Sequence, residues 1–600
     1  MASSFFGLDI GKSGLYTAQA GLNTTAHNIA NIETEGYTRQ KNIQKTGNPL
    51  RANGRHGMVG TGVNVTEIIQ TRDAYYDFKY WKNNSMYGSY AAKENYMNQL
   101  QGYLNEIQLD GFTTTFDSFY DTIQELEKDP SSLTVRKQVS SVGQSFCDYF
   151  NALSSNLKSV QQNCNFEIKN EVDRINSYAQ EIAFMTKQIN IVELGGQNAN
   201  DLRDQRNLLV DKLSTIINVS VDERQVGIAG LKTYTLKIDG QTLVDTNEAK
   251  TLSVVPREVP LNQNDADGLY DIVWDNGMQF NPYAPSQTGS IKALFEIRDG
   301  NNEENLQGII SCQKGDTKLK MTKANINSQL ELSIPREGIV TVGNREYEYN
   351  GFAVTVDKTT GDYTYEFHLV EPATANAVNE ISKVGKAVDY KGIPYYMSEM
   401  NEFIRTYAMH FNGIHKQGKD LNNDAGMDFF TGKHKVTGED YVLGTVGEDF
   451  NSETGPYSSE LNSYYLLTIE NVSINSKIAY DPNLFAAASD VTNGVGNCDI
   501  GTKLLALKTD TSMFKQGKPD AFLQTMVADI GIDAQSAIDL SKSQSNLVQS
   551  VNNQRLSISG VDTEEEAMNL VHYQQAYNLS SKVISIMNEV YDKLINYMGA

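Results

Sequence analysis

The sequence predicts an α+β multidomain protein, with N- and C-terminal helices pairing as a coiled-coil-like core, a long-helix bundle domain, and inserted β-rich outer domains. Three observations carry this expectation. Apolar residues recur every seven positions at both ends of the chain and in its middle, the spacing of helices that pack along a seam. Between them lies a block that alternates apolar and polar residues around Asp-Gly and Gly-Asn pairs, the pattern of strands joined by tight turns. A length of 600 residues exceeds one ordinary domain, so roughly two to four are expected.

Residues 1–70 read as an N-terminal helix and an extended segment of the inner core. Leu8, Leu15, Leu22 and Ile29 are seven apart, with Ala18 and Ile32 on the adjoining stripe. The seam is too short to hold a helix by itself. Ala20, Gly21, Thr24 and Ala26 are small enough to allow close helix approach. A loop-rich stretch follows, and "GVNVTEIIQTR" at its end alternates like a short strand or ribbon.

Residues 71–219 read as a helical core domain. Ile168, Ile175, Ile182 and Ile189 again recur every seven, and after Gly195-Gly196 an amphipathic helix begins with Asn200 or Asp201 as its N-cap. Residues 220–394 read as an inserted β-rich domain, with turns at Asp239-Gly240, Gly343-Asn344 and Asn350-Gly351. Residues 395–424 return to a core helix ending near Gly418, 425–515 form a second segment of strands and loops, and 516–600 are the C-terminal helical core. In the last helix Leu570, Tyr577, Ile584, Tyr591 and Met598 are seven apart, and Tyr573, Met587 and Leu594 fill the companion stripe. Such a seam needs a partner. Residues 1–60 hold six Lys/Arg and three Asp/Glu, residues 561–600 two Lys and six Asp/Glu, so opposite charge favours pairing of the two ends.

The net charge of −23 argues against a nucleic-acid binder, which needs a basic face to neutralise phosphates. No run of about 18 apolar residues is long enough to span a membrane, and the N-terminus lacks the basic start and apolar core of a general secretory signal. Cys147, Cys164, Cys312 and Cys498 are too scattered for a zinc site and read as small buried thiols.

Tempting motifs fail on spacing. "GLDIGKS" has three residues between Gly7 and Gly11 where a phosphate loop needs four, and no strand precedes it. "DLNNDAG" resembles a calcium loop through Asp420, Asn422 and Asp424, but has Ala425 where Gly is required and Thr431 where a bidentate Glu is required. His410 and His415 are five apart, not the four of a zinc helix. Glu564, Glu565 and Glu566 read as solvated residues at the positive end of a helix. No catalytic residue, metal site or cofactor site is expected.

The stretch "GLYTAQAGLNTTAHNIANIETEGYTRQ" resembles the N-terminal signature of the bacterial flagellar axial proteins, the rod, hook and hook-associated group. The matching positions are Asn28, Ala30, Asn31, Thr34, Gly36 and Tyr37, with Glu35 where the family often has Pro. "GYTRQ" with Arg39, "NANDLRDQRNLLVDKLS", "FIRTYAMHFNGIHKQGKDLNNDAGMDFF" and the C-terminal "SISGVDTEEEAMNLVHYQQAYNLSSKVISIMNEVYDKLINYMG" are similar to the hook-associated protein 1 (FlgK) branch. Together these cover about a third of the chain.

The resemblance implies a structural protein without enzymatic activity, exported unfolded through the flagellar type III apparatus with an uncleaved N-terminal signal. It further implies a ring of identical subunits at the distal end of the hook, outside the cell, joining the hook protein to the hook-associated protein 3 (FlgL) layer. A chaperone of the FlgN type would hold the C-terminal helix before export. Leu8, Leu15, Leu22, Ile29, Leu570, Tyr577, Ile584, Met587, Tyr591 and Leu594 would form the assembly seams. Asn28 and Asn31 would end the first helix, Gly36 would allow a reversal, and Tyr37 and Arg39 would anchor the exposed segment to a neighbour. The alternatives are another axial protein, such as the hook protein or hook-associated protein 3, and a surface adhesin carried by the β insertion.

Overall fold

The computed structural model describes residues 6–51, 57–109, 112–226, 232–452, 463–490 and 496–596; Met598 of the C-terminal seam lies outside them. Eleven α-helices occur among the described residues: α1 (Phe6–Ala30), α2 (Ala74–Leu109), α3 (Phe112–Lys128), α4 (Leu133–Leu194), α5 (Asn200–Ile216), α6 (Ser290–Asp299), α7 (Ile393–His415), α8 (Ser476–Tyr480), α9 (Asp499–Ala506), α10 (Pro519–Ser559) and α11 (Thr563–Asn596).

The two ends of the chain meet. α1 packs along α11, and α2 packs along α10. Between α1 and α2 an antiparallel ribbon, Gln40–Thr46 with Val63–Gln70, lies against α1, with a bulge between Ile43 and Gln44. α2 in turn contacts α5 and α6, and α4 contacts α3, α5 and α6. The isoleucines spaced by seven, Ile168, Ile175, Ile182 and Ile189, all point into this core. At the other end of α4 the core is aromatic, with Phe146 and Phe150 against Phe112 and Phe116 of α3, Phe403 of α7 and Phe430. Offset and edge-to-face rings of this kind add to the burial term.

The strands fall into two groups with different cores. The meander Val219–Gln225, Lys232–Ile238, Gln241–Asp245, Glu248–Ala249 turns at Asp239 and Gly240, both with positive φ, as an Asp-Gly hairpin requires. Its Tyr234, Leu236 and Ile238, with Leu252 and Trp274 of a following two-stranded ribbon, belong to the same cluster as the helices. The second group has its own core of Ile310, Leu319, Val340, Tyr349, Phe352 and Phe367.

Here the antiparallel order is Gly338–Val342, Ala377–Val384, Gln307–Cys312, Lys318–Thr322, Tyr363–Leu369, Arg345–Val356, and the last pairs back with the first. The sheet closes into a small barrel, which removes free edges. Phe450–Asn451 adds to the far half of Arg345–Val356.

Local readings differ from the structure at three places. Asn350-Gly351 is not a turn: it lies inside the continuous strand Arg345–Val356, where the register shifts between Tyr349 and Gly351. The bulge lets one strand pair with two different neighbours along its length. A helix, α6, interrupts the stretch read as strands, because Ile291, Leu294, Phe295 and Ile297 bury against α2 and α4. Neither Asn200 nor Asp201 caps α5; their side chains bond the ribbon instead, Asn200 Nδ2 donating to Ile68 O at 3.0 Å and Asp201 Oδ1 accepting from Gln40 Nε2 at 2.7 Å.

Candidate functional site

α1 and α11 are antiparallel and approach through glycines. A Cβ added at Gly21 would lie 2.5 Å from the Tyr573 ring, one at Gly14 2.9 Å from Ser580 Oγ, and one at Gly11 3.1 Å from Ile584; one at Gly7 would collide with Met587. The "GLDIGKS" glycines thus serve helix contact. Leu8, Leu15, Leu22 and Ile29 lie half-buried beside this stripe, as do Tyr577, Ile584, Met587 and Tyr591 on α11, whereas Leu570 and Leu594 are exposed. Glu566 is the single buried residue of α11, and Leu579, Val583, Ile586 and Val590 remain open to solvent.

The motif residues build a joint between this helix pair and the core. Asn28, 1% exposed, uses its whole amide: Nδ2 donates to Gln40 O at 3.0 Å, and Oδ1 accepts from Gln40 N at 3.0 Å and from Tyr37 Oη at 2.8 Å. α1 stops at Ala30, next to its family-motif partner Asn31, whose N–H and Nδ2 both donate to His27 O. Thr34 Oγ1 donates to Asn31 Oδ1 at 3.2 Å. Gly36 then reverses the chain with φ +79°, where a Cβ would also meet Leu208 of α5 at 3.1 Å.

Past the turn, Thr38 gives its N–H (2.8 Å) and its hydroxyl (2.7 Å) to Asp204 of α5. Burial pushes the Asp204 carboxyl up to about 6. Arg39 donates Nε to Glu566 at 2.7 Å and a second fork to Glu565 at 2.6 and 2.9 Å, and its N–H meets Ser559 O at 2.8 Å. Tyr37 and Arg39 therefore both have partners within the chain. Glu566 is not a solvated helix-start residue as the sequence suggested: it is 2% exposed and paired.

Behind the turn a polar cavity of about 770 Å³ is lined by Ile32, Tyr37, Arg72, Tyr80, Leu208 and Arg555. Each guanidinium here has a carboxylate, Arg72 on Asp77 at 2.7 Å and Arg555 on Asp211 at 2.8 Å. Trp81 also donates to Asp211 at 2.6 Å. Asp77 is five residues from Arg72, but Asp204 and Asp211 do not follow from sequence, since they lie 166 and 344 positions from Thr38 and Arg555.

Asn28→Ala is expected to cost about 2 kcal/mol at this joint, because it strips partners from the Gln40 backbone and the Tyr37 hydroxyl together. Hydrogen exchange at the Gln40 amide should speed up accordingly; unchanged exchange would contradict the role given to Asn28.

The remaining motifs have structural occupations. Asp420 Oδ1 accepts from the Asn422 and Asp424 amides at 2.8 and 2.9 Å, forming its own turn. His415 is fully buried, its Nδ1 bonding Met427 O at 2.6 Å and its Nε2 accepting from Ala486 N at 2.9 Å, which requires the neutral ring. Burial lowers its pKa to about 4. With an unfolded value near 6.5, the neutral ring stabilises the fold above about pH 6.5. That contribution, up to about 3 kcal/mol, is lost as pH falls through 4. Urea midpoints measured from pH 7 to 4 should show a drop that His415→Gln reduces. All four cysteines are buried free thiols.

A family model described as the flagellar hook-associated protein FlgK helical domain matches residues 97–333. One for the flagellar basal body rod FlgEFG protein C-terminal region matches 552–597, and one for flagella basal body rod protein matches 8–38. Flagellar hook-associated protein 1 of Bacillus subtilis (strain 168) is 25% identical over 615 residues, covering 100% of this chain and 99% of that one. The protein of the same name from Salmonella typhimurium is 26% identical over 597 residues, covering 97% and 98%. Among solved structures, the flagellar hook junction protein FlgK from Burkholderia pseudomallei aligns with a TM-score of 0.44 at 14% identity, over 80% of this chain and 100% of that one.

Proposed function

The chain belongs to the flagellar hook-associated protein 1 (FlgK) family, and on that premise we propose that it is the structural adaptor that joins hook to filament through the hook-associated protein 3 layer. In this reading it leaves the cell through the flagellar type III apparatus, held beforehand by a chaperone of the FlgN type on α11, and assembles as a ring of identical copies outside the cell. The observation that carries the reading is the terminal helix pair. α1 and α11 bury a glycine-lined contact between them and leave Leu579, Ile586, Val590 and Leu594 exposed along one flank of α11, with Val583 at its edge against Gly11. An apolar face of this length is stable only against neighbours. Leu8, Leu15, Leu22, Ile29 and Leu570 would meet the same neighbours, and the joint at Asn28, Gly36 and Arg39 would set the angle between the pair and the core.

A strain lacking the protein should carry hooks without filaments and release unpolymerised flagellin into the medium. Normal filaments on such cells would overturn the reading. A second role, surface adhesion by the barrel, is favoured by the exposed Val378 and Ile381 on its outer face. Loss of residues 306–384 would then lower adhesion with filaments intact.

A further inference from the structure

Near the joint the core helices lie in a row, α10 on α2, α2 on α5 and α5 on α4. The two outer members carry unpartnered apolar stripes. On α4, Phe166, Phe184 and Ile191 lie on one helical face and each is more than 60% exposed, with Asp173 and Ser177 on that face between the two phenylalanines. On α10, Ile532, Leu540 and Leu547 lie on one face, 66%, 45% and 50% exposed, with Ser536 and Ser543 between them.

Both helices run toward the same place. α4 ends at Leu194, just before Asn198, whose side chain donates to Ile68 O of the ribbon; α10 ends at Ser559, whose carbonyl accepts from Arg39 N. Residues equally far back from these two ends therefore sit at nearly the same height, at 1.5 Å per residue. Phe166 and Ile532 are 28 and 27 positions back, Phe184 and Leu547 are 10 and 12 back, and Arg174 and Asp539 are both 20 back. Arg174 and Asp539 are opposite in charge and both exposed, Arg174 in a 3.5 Å ion pair with Glu171 of its own helix and Asp539 accepting from Gln535 Nε2 at 3.1 Å.

We propose that the occupant of each stripe is a second copy of this chain, the α10 face of one copy docking on the α4 face of the next, parallel and in register, with Arg174 of one copy opposite Asp539 of the next. The proposal rests on the reading of the protein as a ring-forming subunit and names the contact that closes the ring. Two different patches at opposite ends of a row of helices make a head-to-tail contact, which copies related by rotation about one axis repeat until the ring closes. A patch that matched itself would stop at a dimer.

The test uses full-length protein in flagella isolated from cells. Phe184→Cys together with Leu547→Cys should give a ladder of cross-linked multimers under mild oxidation, the four native cysteines being buried. Either cysteine alone should give no ladder. Arg174→Asp and Asp539→Arg should each reduce filament-bearing cells at least ~10-fold, and the two together should restore them to within about twofold. Unchanged thermal unfolding of the purified variants checks that they fold. A double-cysteine protein present in flagella at wild-type amounts without a ladder overturns the contact, as does a reversed pair no better than either single change. Absence of the wild-type protein from flagella overturns the ring reading itself, and the contact with it.

Discussion

Arg405→Met is expected to destabilise the protein by about 3–5 kcal/mol and to loosen the barrel from the helical core. Arg405 is on α7, 1% exposed, and no carboxylate among the described residues bonds it. Its guanidinium instead fills five acceptors: Leu467 O at 2.7 Å, Leu332 O at 2.7 Å, Tyr465 O at 2.7 Å, Gln263 Oε1 at 2.8 Å and Leu330 O at 3.2 Å. Leu330 and Leu332 lie on the segment that leads into the barrel, and the Tyr465 ring packs in the barrel core. Burial pulls the guanidinium pKa down to about 10, which still leaves it charged at neutral pH.

Met matches the side-chain length but leaves four of the five acceptors unfilled, Tyr465 O keeping its bond from Gln263 Nε2 at 3.0 Å, and each buried unfilled acceptor costs on the order of 1 kcal/mol. Lysine keeps the charge with three donors in place of a planar fork, so Arg405→Lys should recover only part of the loss. Denaturant unfolding reads the stability, and limited proteolysis between residues 323 and 337 reads the loosening. A midpoint within error of wild type would show that the arginine is not what seats the barrel.

Asp299→Asn should cost a similar 3–5 kcal/mol, through charge and not through missing acceptors. Asp299 is completely buried between Arg257 (2.7 and 3.0 Å) and Arg298 (2.7 and 3.0 Å), and Tyr283 Oη donates to it at 2.5 Å. This carboxylate is shared by two buried guanidinium groups, of which Arg257 also has Asp271 at 2.8 Å; asparagine would leave Arg298 uncompensated and Arg257 with Asp271 alone, and would point N–H groups at donors. Although its burial acts to raise the pKa, the two guanidinium groups win, holding the Asp299 carboxyl well below the usual carboxylate range.

The stability this carries is therefore present above about pH 4 and is lost only as pH falls through the still lower folded pKa. The variant should lose that acid-limb dependence as well as the stability itself. A variant with reduced stability but the wild-type acid limb would assign the dependence to another carboxylate.

Much of the helical frame was legible because a helix that buries one stripe repeats that stripe in its sequence. The isoleucines of α4 are an example: spaced by seven, all four are buried. The hairpin at Asp239-Gly240 was legible for the same local reason, since few residue pairs tolerate two positive φ values. Asn350-Gly351 shows the limit, because the same residue types serve a bulge inside a strand, and only the neighbouring strands decide which. α6 was missed because ten residues give too few turns for a period to stand out. At the joint, Asn28, Gly36 and Arg39 were singled out by their motif, but Asp204 and Glu566 were not, and Glu566 looked like an ordinary solvated residue.

What the sequence determined by itself is the local part: where helices and strands form, that both ends are helical with one apolar side, and which family signature sits at the end of α1. Periodicity and turn chemistry act over a few residues and need no partner to be read. What only the tertiary structure decided is which of two stripes on α1 faces α11, and which distant carboxylate holds Thr38, Arg39 and Arg257. The glycine stripe faces α11 because helix axes approach closely only where side chains are absent, and the leucines beside it stay half-open. The ion pairs join residues up to 527 positions apart, a separation at which the amino-acid pattern carries no information and the packing of the chain carries all of it.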